Sequence, residues 1–500
     1  MHQALLVTEI LLDIFAHVNQ IPNPSSALEK SFKLARQSLA ALAVTCKTFH
    51  EPAMDLLWAN TDVHWVEPLE PLLGCVPRLH PMIYRRGATY NWSEDVDPLS
   101  EHEAHQFLRH AARVRSLRIS FHVHLHLLSV LPIETCVFPR LRSLIWESNT
   151  DRNLGLFLSH TLRHCSLSAI NESLKCIVTR STALMDLSIR CFDESTADEL
   201  SLLSDSICLC KQLVTLSCPL LDWAALVHLS NLPTLRTVII HKRNRVPLPL
   251  DLNNLTFTPF LHLTTLAFHL DRAAYIITVM QHSEFPSLKQ FEMIVDILPW
   301  AEAEHLFYVL SQCAACQTLE KIDIHSIRQG LHEHRKSLTV VTQFLCFTQL
   351  RTLKLILPCS IFLDDDLLLE AMSSWPHIRS LEIVAVDPPA IPTVTFRGLF
   401  AALRRWPHLH TLQLLVNVEN IDIDPTAESF QHTTLRALDL ITASHIADAK
   451  AVARIIFSML PCVDKVNEFA VEWQKVNMHL KAFKASALLG RQVSGAASRT

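Results

Sequence analysis

From Val114 to Leu440 one short pattern keeps returning: an apolar residue, two others, an apolar residue, one other, an apolar residue. Leu184–Ile189, Leu213–Cys218, Leu235–Ile240, Leu263–Phe268, Leu319–Ile324, Leu350–Leu355 and Leu435–Leu440 are clear copies. Phe285-Pro286, Trp375-Pro376 and Trp406-Pro407 lead into three more, at Leu288–Met293, Ile378–Ile383 and Leu409–Leu414. Val114–Ile119 and Phe138–Leu144 open the series, Leu162–Leu167 is a weak copy, and Val463–Val466 is a last, decayed one. Residues two apart lie on the same face of a strand, so each copy predicts a short strand with one buried face. First positions recur every 21 to 31 residues, and the spacers 200–209, 301–313, 366–373 and 396–405 place apolar residues at helical spacing. A strand and a helix per repeat leave a chain little choice but to stack parallel strands side by side as an α/β solenoid.

Pattern and period resemble the leucine-rich-repeat class, although the Asn or Cys that usually follows the third apolar position is mostly absent. Without that side-chain ladder to satisfy loop backbone groups, the resemblance implies an irregular horseshoe with uneven turns. About thirteen strands at ~4.8 Å would give a sheet on the order of 60 Å long, a surface sized for a protein. We place the repeats at 114–470. Residues 61–113 are expected to be a linker and N-terminal cap: Pro68, Pro71, Pro77 and Pro81 punctuate the first half, 87–100 reads as loop, and 101–113 as a helix over the open end. Helices are expected at 448–460 and 472–489, within a C-terminal cap at 471–489, and the small, polar 490–500 is expected to be disordered.

The first sixty residues follow a different rule. Leu6, Ile10, Ile14 and Val18 recur every fourth position, widened by Leu11 and Phe15, which predicts an amphipathic helix. Leu39, Leu42, Cys46 and Phe49 predict a second helix over 38–49, and Pro52 sits one residue into a third short segment, 51–58. A unit this small cannot bury all of that apolar surface alone. These residues resemble the F-box in the form common among fungal F-box proteins: a Glu-Ile-Leu helix start, then Leu39-Ala40-Ala41-Leu42-Ala43-Val44-Thr45-Cys46 with Phe49, then Ala53-Met54-Asp55-Leu56-Leu57-Trp58. Where the family usually opens with Leu-Pro, this chain has Leu6-Val7. The resemblance implies a three-helix F-box domain at 1–60 that docks on a Skp-type adaptor, and through it a cullin, while the repeats select a protein substrate. Leu6, Ile10, Leu11, Ile14, Phe15, Leu39, Leu42 and Phe49 are the expected adaptor-binding set, to be divided between the module's own core and the interface.

Other functions are excluded by what is missing. Hydrophobic residues make up 49% of the chain, yet no apolar run approaches the ~20 residues that span a bilayer. The N-terminal segment has no basic region ahead of its apolar part, which carries acids, so we expect an intracellular protein with no membrane partner. A net charge of −5 with signs interspersed gives no footprint for nucleic acid. Seven glycines leave no Gly-rich phosphate loop and no nucleophile elbow. The fourteen cysteines have no framework spacing and read as reduced, buried residues.

Several constellations invite chemistry. His122, His124 and His126 would project from one strand face and could hold a metal, the basis of an alternative reading as a metal-dependent enzyme. Cys313 and Cys316 have the spacing of half a zinc site, without a second pair. Cys208 with Cys210, His160 with His164, and Cys46 with His50 complete the set. None makes an enzyme in its own right, and no cofactor is expected. On the strand face, the fifth position of each copy reads Arg118, Ile145, Ser166, Ser188, Ser217, Ile239, Ala267, Glu292, Asp323, Lys354, Glu382, Gln413 and Asp439. The acidic C-terminal third, with Glu292, Asp323, Lys354, Glu382 and Asp439 as candidate substrate contacts, suits a partner with a basic segment. A second alternative is a leucine-rich-repeat scaffold without ligase association, in which the F-box-like start only caps the repeats.

Overall fold

The computed structural model describes residues 7–18, 28–60, 69–84, 92–120, 124–132, 135–147, 153–191, 195–241, 258–328, 338–385, 392–419, 421–424, 430–442, 446–467 and 470–497. The chain divides into two compact units, Met1–His228 and Leu229–Thr500.

The first unit opens with three helices, α1 (Thr8–Val18), α2 (Leu28–Thr45) and α3 (Lys47–Ala59). Leu11, Phe15, Leu39, Ala43 and Ala53 form their core, with Phe49 edge-on to Phe15 at 5.5 Å. Two boundaries differ from the sequence expectation. α2 begins at Leu28 instead of 38, because its buried positions Ala35, Leu39 and Ala43 extend the stripe with a small residue among polar neighbours. The break falls at Cys46, whose extended backbone starts α3, so Pro52 lies inside α3 instead of near its start. Short α4 (Glu70–Leu73) and α5 (His80–Ile83) precede α6 (Glu101–Ala111). Ser100 accepts from the Glu103 N–H while the Glu103 carboxylate accepts from the Ser100 N–H, a reciprocal cap that starts α6 where expected.

The repeats follow: β1 (Ser116–Ile119), β2 (Ser143–Trp146), β3 (His164–Leu167), α7 (Ser173–Arg180), β4 (Asp186–Ile189), α8 (Ala197–Ile207) and β5 (Thr215–Cys218), with α9 (Trp223–Ser230) running across the division. The five strands pair parallel in chain order, Ser116 beside Ser143, then His164, Asp186 and Thr215. The weak copy at Leu162–Leu167 is a full member of this sheet.

The second unit continues the plan with β6 (Thr237–His241), β7 (Thr265–Arg272), α10 (Ala274–His282), β8 (Gln290–Ile297), α11 (Trp300–Gln312), β9 (Lys321–Arg328), α12 (Val340–Phe344), β10 (Thr352–Leu357), α13 (Asp365–Ser374), β11 (Ser380–Ala385), α14 (Phe396–Arg405), β12 (Thr411–Leu415) and β13 (Ala437–Ile441). These strands are also parallel and in chain order. The decayed copy contributes one parallel bridge, Val466 to Leu438. Each repeat buries the second and third apolar positions of its strand, and the aromatic ahead of it, as at Phe138, Phe285, Trp375 and Trp406. The Trp375 indole N–H also donates to the Phe344 carbonyl at 3.0 Å.

Main chain replaces the missing Asn ladder at the strand entries. The N–H groups of Arg142 and Ser143 both reach the Arg115 carbonyl, those of Arg163 and His164 the Arg142 carbonyl, and those of Arg379 and Ser380 the Arg351 carbonyl. One carbonyl accepting two donors satisfies the turn without any particular side chain, so the sequence there is free to vary.

α15 (Ala449–Met459) and α16 (Val471–Ala497) close the unit. α16 runs on through Gly490 to Ala497, where the sequence reading places a disordered tail from 490. Two glycines cost a helix only about 1 kcal/mol each, and the residues between them are ordinary helix formers.

Candidate functional site

Two surfaces and one set of polar clusters bear on function. The first surface is α1. Leu11 and Phe15 are buried in the three-helix core, whereas Val7, Ile10, Leu12 and Ile14 keep 43%, 40%, 42% and 41% of their surface exposed. Ile10 and Ile14 fall on one helix face with Val7 just ahead of its first turn, so these three form a stripe, while Leu12 opens on the other side of the buried residues. Of the other expected adaptor contacts, Leu39 is fully buried and Leu42 and Phe49 pack half-buried against the core. Leu6 lies outside the described residues. Leu11, Phe15 and Leu39 therefore hold the unit together; a partner could reach them only by opening it.

The second surface is the strand face of the second unit. The register aligns Ile239, Ala267, Glu292, Asp323, Lys354, Glu382, Gln413 and Asp439 in one row across eight strands, which brings the expected substrate contacts together. The row is largely self-paired. Lys321 on β9 stands 3.4 Å from Glu292 and 3.5 Å from Asp323, and Lys354 stands 3.3 Å from Glu382. Asp439 accepts from the Gln413 amide at 2.8 Å. Burial, helped by the nearby Glu382 carboxylate, pushes its carboxyl above the ordinary range. Two residues further along each strand runs a second row that the sequence reading missed: Ile294, Ile356, Val384, Leu415 and Ile441 are all half-buried, with His241, His269 and His325 among them. The signal was present, since each lies two residues beyond the fifth position, where polar residues would be expected on a wholly solvated face.

On the first unit, the matching row Arg118, Ile145, Ser166, Ser188 and Ser217 is also in register. Its last four members floor a shallow hollow of about 150 Å³ edged by His164 and Asp186, whose side chains pair.

The remaining clusters are structural. His124 does not lie on a strand; it leads a 3-10 turn, Leu125–Leu128, and so cannot share a strand face with its neighbours. It is buried, with Nδ1 2.7 Å from the Ser93 hydroxyl, Nε2 3.7 Å from the Glu70 carboxylate, and its ring stacked on Trp92 at 4.7 Å. His122 lies outside the described residues, and the His126 ring is 3.3 Å from the Val96 carbonyl. Among the described residues no group of three His, Cys, Asp or Glu side chains is placed to hold a metal ion. Cys313 is buried, and the Cys316 thiol donates to its carbonyl at 2.6 Å. Burial pushes the thiols of Cys165 and Cys210 up to about 12 and holds that of Cys208 above its usual value. Such thiols remain protonated and unreactive at neutral pH. His160 stands exposed two strand-entry residues from Leu162, and its expected partner His164 is engaged by Asp186. Cys46 serves as the N-terminal boundary of α3, and the His50 ring is 3.0 Å from the Ala43 carbonyl. Among the described residues no helix is long and apolar enough to cross a membrane.

No family model matches the chain, and no curated protein matches it. Among solved structures, the crystal structure of the Rad7 and Elc1 complex in yeast aligns over 89% of this chain and 93% of that chain, at 12% identity and a TM-score of 0.33. A likeness that slight has no bearing on function.

Proposed function

We propose that this chain is the substrate-recognition subunit of a Skp/cullin/F-box ubiquitin ligase. Its α1 stripe binds a Skp-type adaptor, which links it to the cullin, and its repeats hold a protein substrate. The observation that carries this reading is the stripe itself. Ile10 and Ile14, with Val7 just ahead of them, stay about two-fifths exposed on a helix whose adjoining face, Leu11 and Phe15, already fills a core. An apolar helix face left open in this way is the surface that a helix-in-groove partner covers. It coincides with the segment that resembles the F-box. The chain performs no catalytic step; it contributes proximity and orientation of a substrate lysine to chemistry done elsewhere. The substrate meets the strand face of β8 to β13, where the row of Glu292, Asp323, Lys354, Glu382 and Asp439 favours a segment with basic residues beside the apolar row.

Co-expression with a Skp-type adaptor followed by size-exclusion chromatography tests the reading. A one-to-one complex is expected, and Ile10→Asp or Ile14→Asp is expected to abolish it while leaving helix content unchanged. Adaptor binding that survives Ile10→Asp, or a free chain that is soluble and ignores the adaptor, would sink the proposal.

The scaffold reading keeps one specific support. Asn60 pairs with Ser116 as a parallel bridge, the Arg115 N–H reaches the Ala59 carbonyl, and Arg113 holds both Glu51 and Asp55. Those bonds make α3 continuous with the repeats, as a cap requires. On that reading the chain is a well-behaved monomer whose elution is the same with or without the adaptor.

A further inference from the structure

We propose that the entry edge of β1 to β3 is a binding site for a phosphate group, built by Arg115, Arg140 and Arg142. The inference is independent of the ligase reading. These three guanidinium side chains, with Thr161, line a hollow of about 290 Å³ within the first unit, several times the volume of a phosphate group.

The fold forces the arginines together. Arg115 and Arg142 each occupy the residue just ahead of a strand, and the Arg142 N–H donates to the Arg115 carbonyl at 2.8 Å. Their α-carbons are thus about one strand spacing, ~4.8 Å, apart. Arg163 repeats the position on β3, its N–H 2.9 Å from the Arg142 carbonyl, so the row continues past the hollow. Arg140 joins from the turn before β2. That turn is pinned by the Thr161 hydroxyl, which lies 3.2 Å from the Pro139 carbonyl and 2.9 Å from that of Leu141.

The charges there are not balanced. Arg115, Arg142 and Arg163 make no side-chain hydrogen bond or ion pair among the described residues. Arg140 reaches Asp55 at 3.3 Å, but the other oxygen of that carboxylate already serves Arg113. Like charges held this close repel one another, and a lone half-used carboxylate does not compensate three guanidinium groups. Planar guanidinium forks match the oxygens of a phosphate two at a time and stay charged at any physiological pH, so a dianionic phosphate monoester is the ligand that this geometry and charge select.

Calorimetric titration of the full chain with inorganic phosphate, at constant ionic strength, is the first measurement. Saturable one-to-one binding is expected. Arg142→Gln and Arg115→Gln should each weaken it about ten- to a hundredfold, the range for losing a charge-assisted bond. Arg142→Lys, which keeps the charge and loses the fork, should fall between. Arg236→Gln is the control, since Arg236 holds the same repeat position ahead of β6 with Thr264, not an arginine, beside it ahead of β7. Phosphate affinity should also rise between pH 5 and pH 7.5 as its second proton leaves near pH 6, while sulfate affinity stays level. A phosphoserine peptide, with its unphosphorylated form as reference, identifies the source. Tighter binding than inorganic phosphate makes the ligand a phosphorylated protein segment, and no gain makes it a free anion. Absence of saturable binding, wild-type affinity in Arg142→Gln, or equal loss in Arg236→Gln overturns the site.

Discussion

Gly398→Ala should destabilise the second unit, although alanine is the better helix former. Gly398 lies in the first turn of α14, whose cap is Thr395: the Gly398 N–H donates to the Thr395 hydroxyl at 3.1 Å. Thr395 is in turn held by the preceding repeat, because Asp365 at the start of α13 accepts from its N–H and its hydroxyl, both at 2.8 Å. A β-carbon at 398 would sit 1.9 Å from one Asp365 carboxylate oxygen and 2.1 Å from its Cγ. The Asp365 side chain is too short to bend aside and keep both bonds, so it must swing away and release Thr395. Two charge-assisted hydrogen bonds are worth about 1.5 kcal/mol each at the low end, against at most about 1 kcal/mol of gained helix propensity. The net loss is therefore about 2 kcal/mol. Urea unfolding reads it as a lower midpoint at unchanged slope. The decisive comparison is the cycle with Asp365→Ala: once the carboxylate is gone, Gly398→Ala should turn neutral or stabilising. A Gly398→Ala chain as stable as the parent, or the same loss in both backgrounds, refutes the contact as the cause.

Three further outcomes follow from single contacts. Trp375→Phe removes the indole donor from the Phe344 carbonyl, which keeps the Phe347 N–H at 3.1 Å, and should cost about 0.5–1.5 kcal/mol by urea midpoint, the usual net worth of one hydrogen bond. Glu103 is held down to about 2 by the Arg78 guanidinium first, and by Ser100. A depressed carboxylate contributes stability that is complete above its ordinary value of 4.5 and is lost as pH falls toward 2, so Glu103→Gln should lower stability at pH 7 and flatten the decline measured by thermal melts from pH 5 to pH 2. Asp439 has the opposite sign: its raised carboxyl favours folding while protonated and opposes it once ionised. Asp439→Asn, whose carbonyl can still accept from Gln413, should raise the melting temperature at pH 7 and leave it unchanged at pH 3.

Much of the fold was legible because the strand signal is a side-chain alternation that nothing else in a repeat imitates. Thirteen of the fourteen copies became strands, including the faint Leu162–Leu167, because its neighbours supply the register that its own sequence states weakly. Helix ends were legible only in part: Phe396–Arg405, capped by Thr395, matches at both ends, whereas α8 starts at Ala197 behind a Thr196–Glu199 capping box that the reading from 200 passed over. Where the stripe used alanine, as at Ala35 and Ala43, the apolar contrast faded and ten residues of α2 went unread. The histidine alternation failed for a different reason. His124 is fixed by Ser93 and Trp92 from a distant part of the chain, a tertiary contact with no local signature. The arginine row was written plainly as Val114-Arg115, Leu141-Arg142 and Leu162-Arg163. It was overlooked because only the positions facing the sheet were followed, and the residue just ahead of each strand was not.

The pairing within the second unit's strand face also changes what that face can recognise. Read as a string, Glu292, Asp323, Glu382 and Asp439 are four acids awaiting a basic partner. In register, Lys321 sits between the first two and Lys354 beside the third, so a basic segment must compete with cations already in place, and the exposed-pair energies being displaced are themselves small. Charge along most of the row therefore sets orientation more than affinity. Asp439 differs, because its partner is the neutral Gln413 amide and its carboxylate is already costly to ionise. A cation arriving there would relieve that cost instead of replacing an existing ion pair. On the receptor reading, a substrate segment thus draws most of its binding from the apolar row Ile294, Ile356, Val384, Leu415 and Ile441, and places its basic residue at β13. Asp439→Asn separates those contributions, since it gains stability in the free chain while losing the one carboxylate whose ionisation binding would favour.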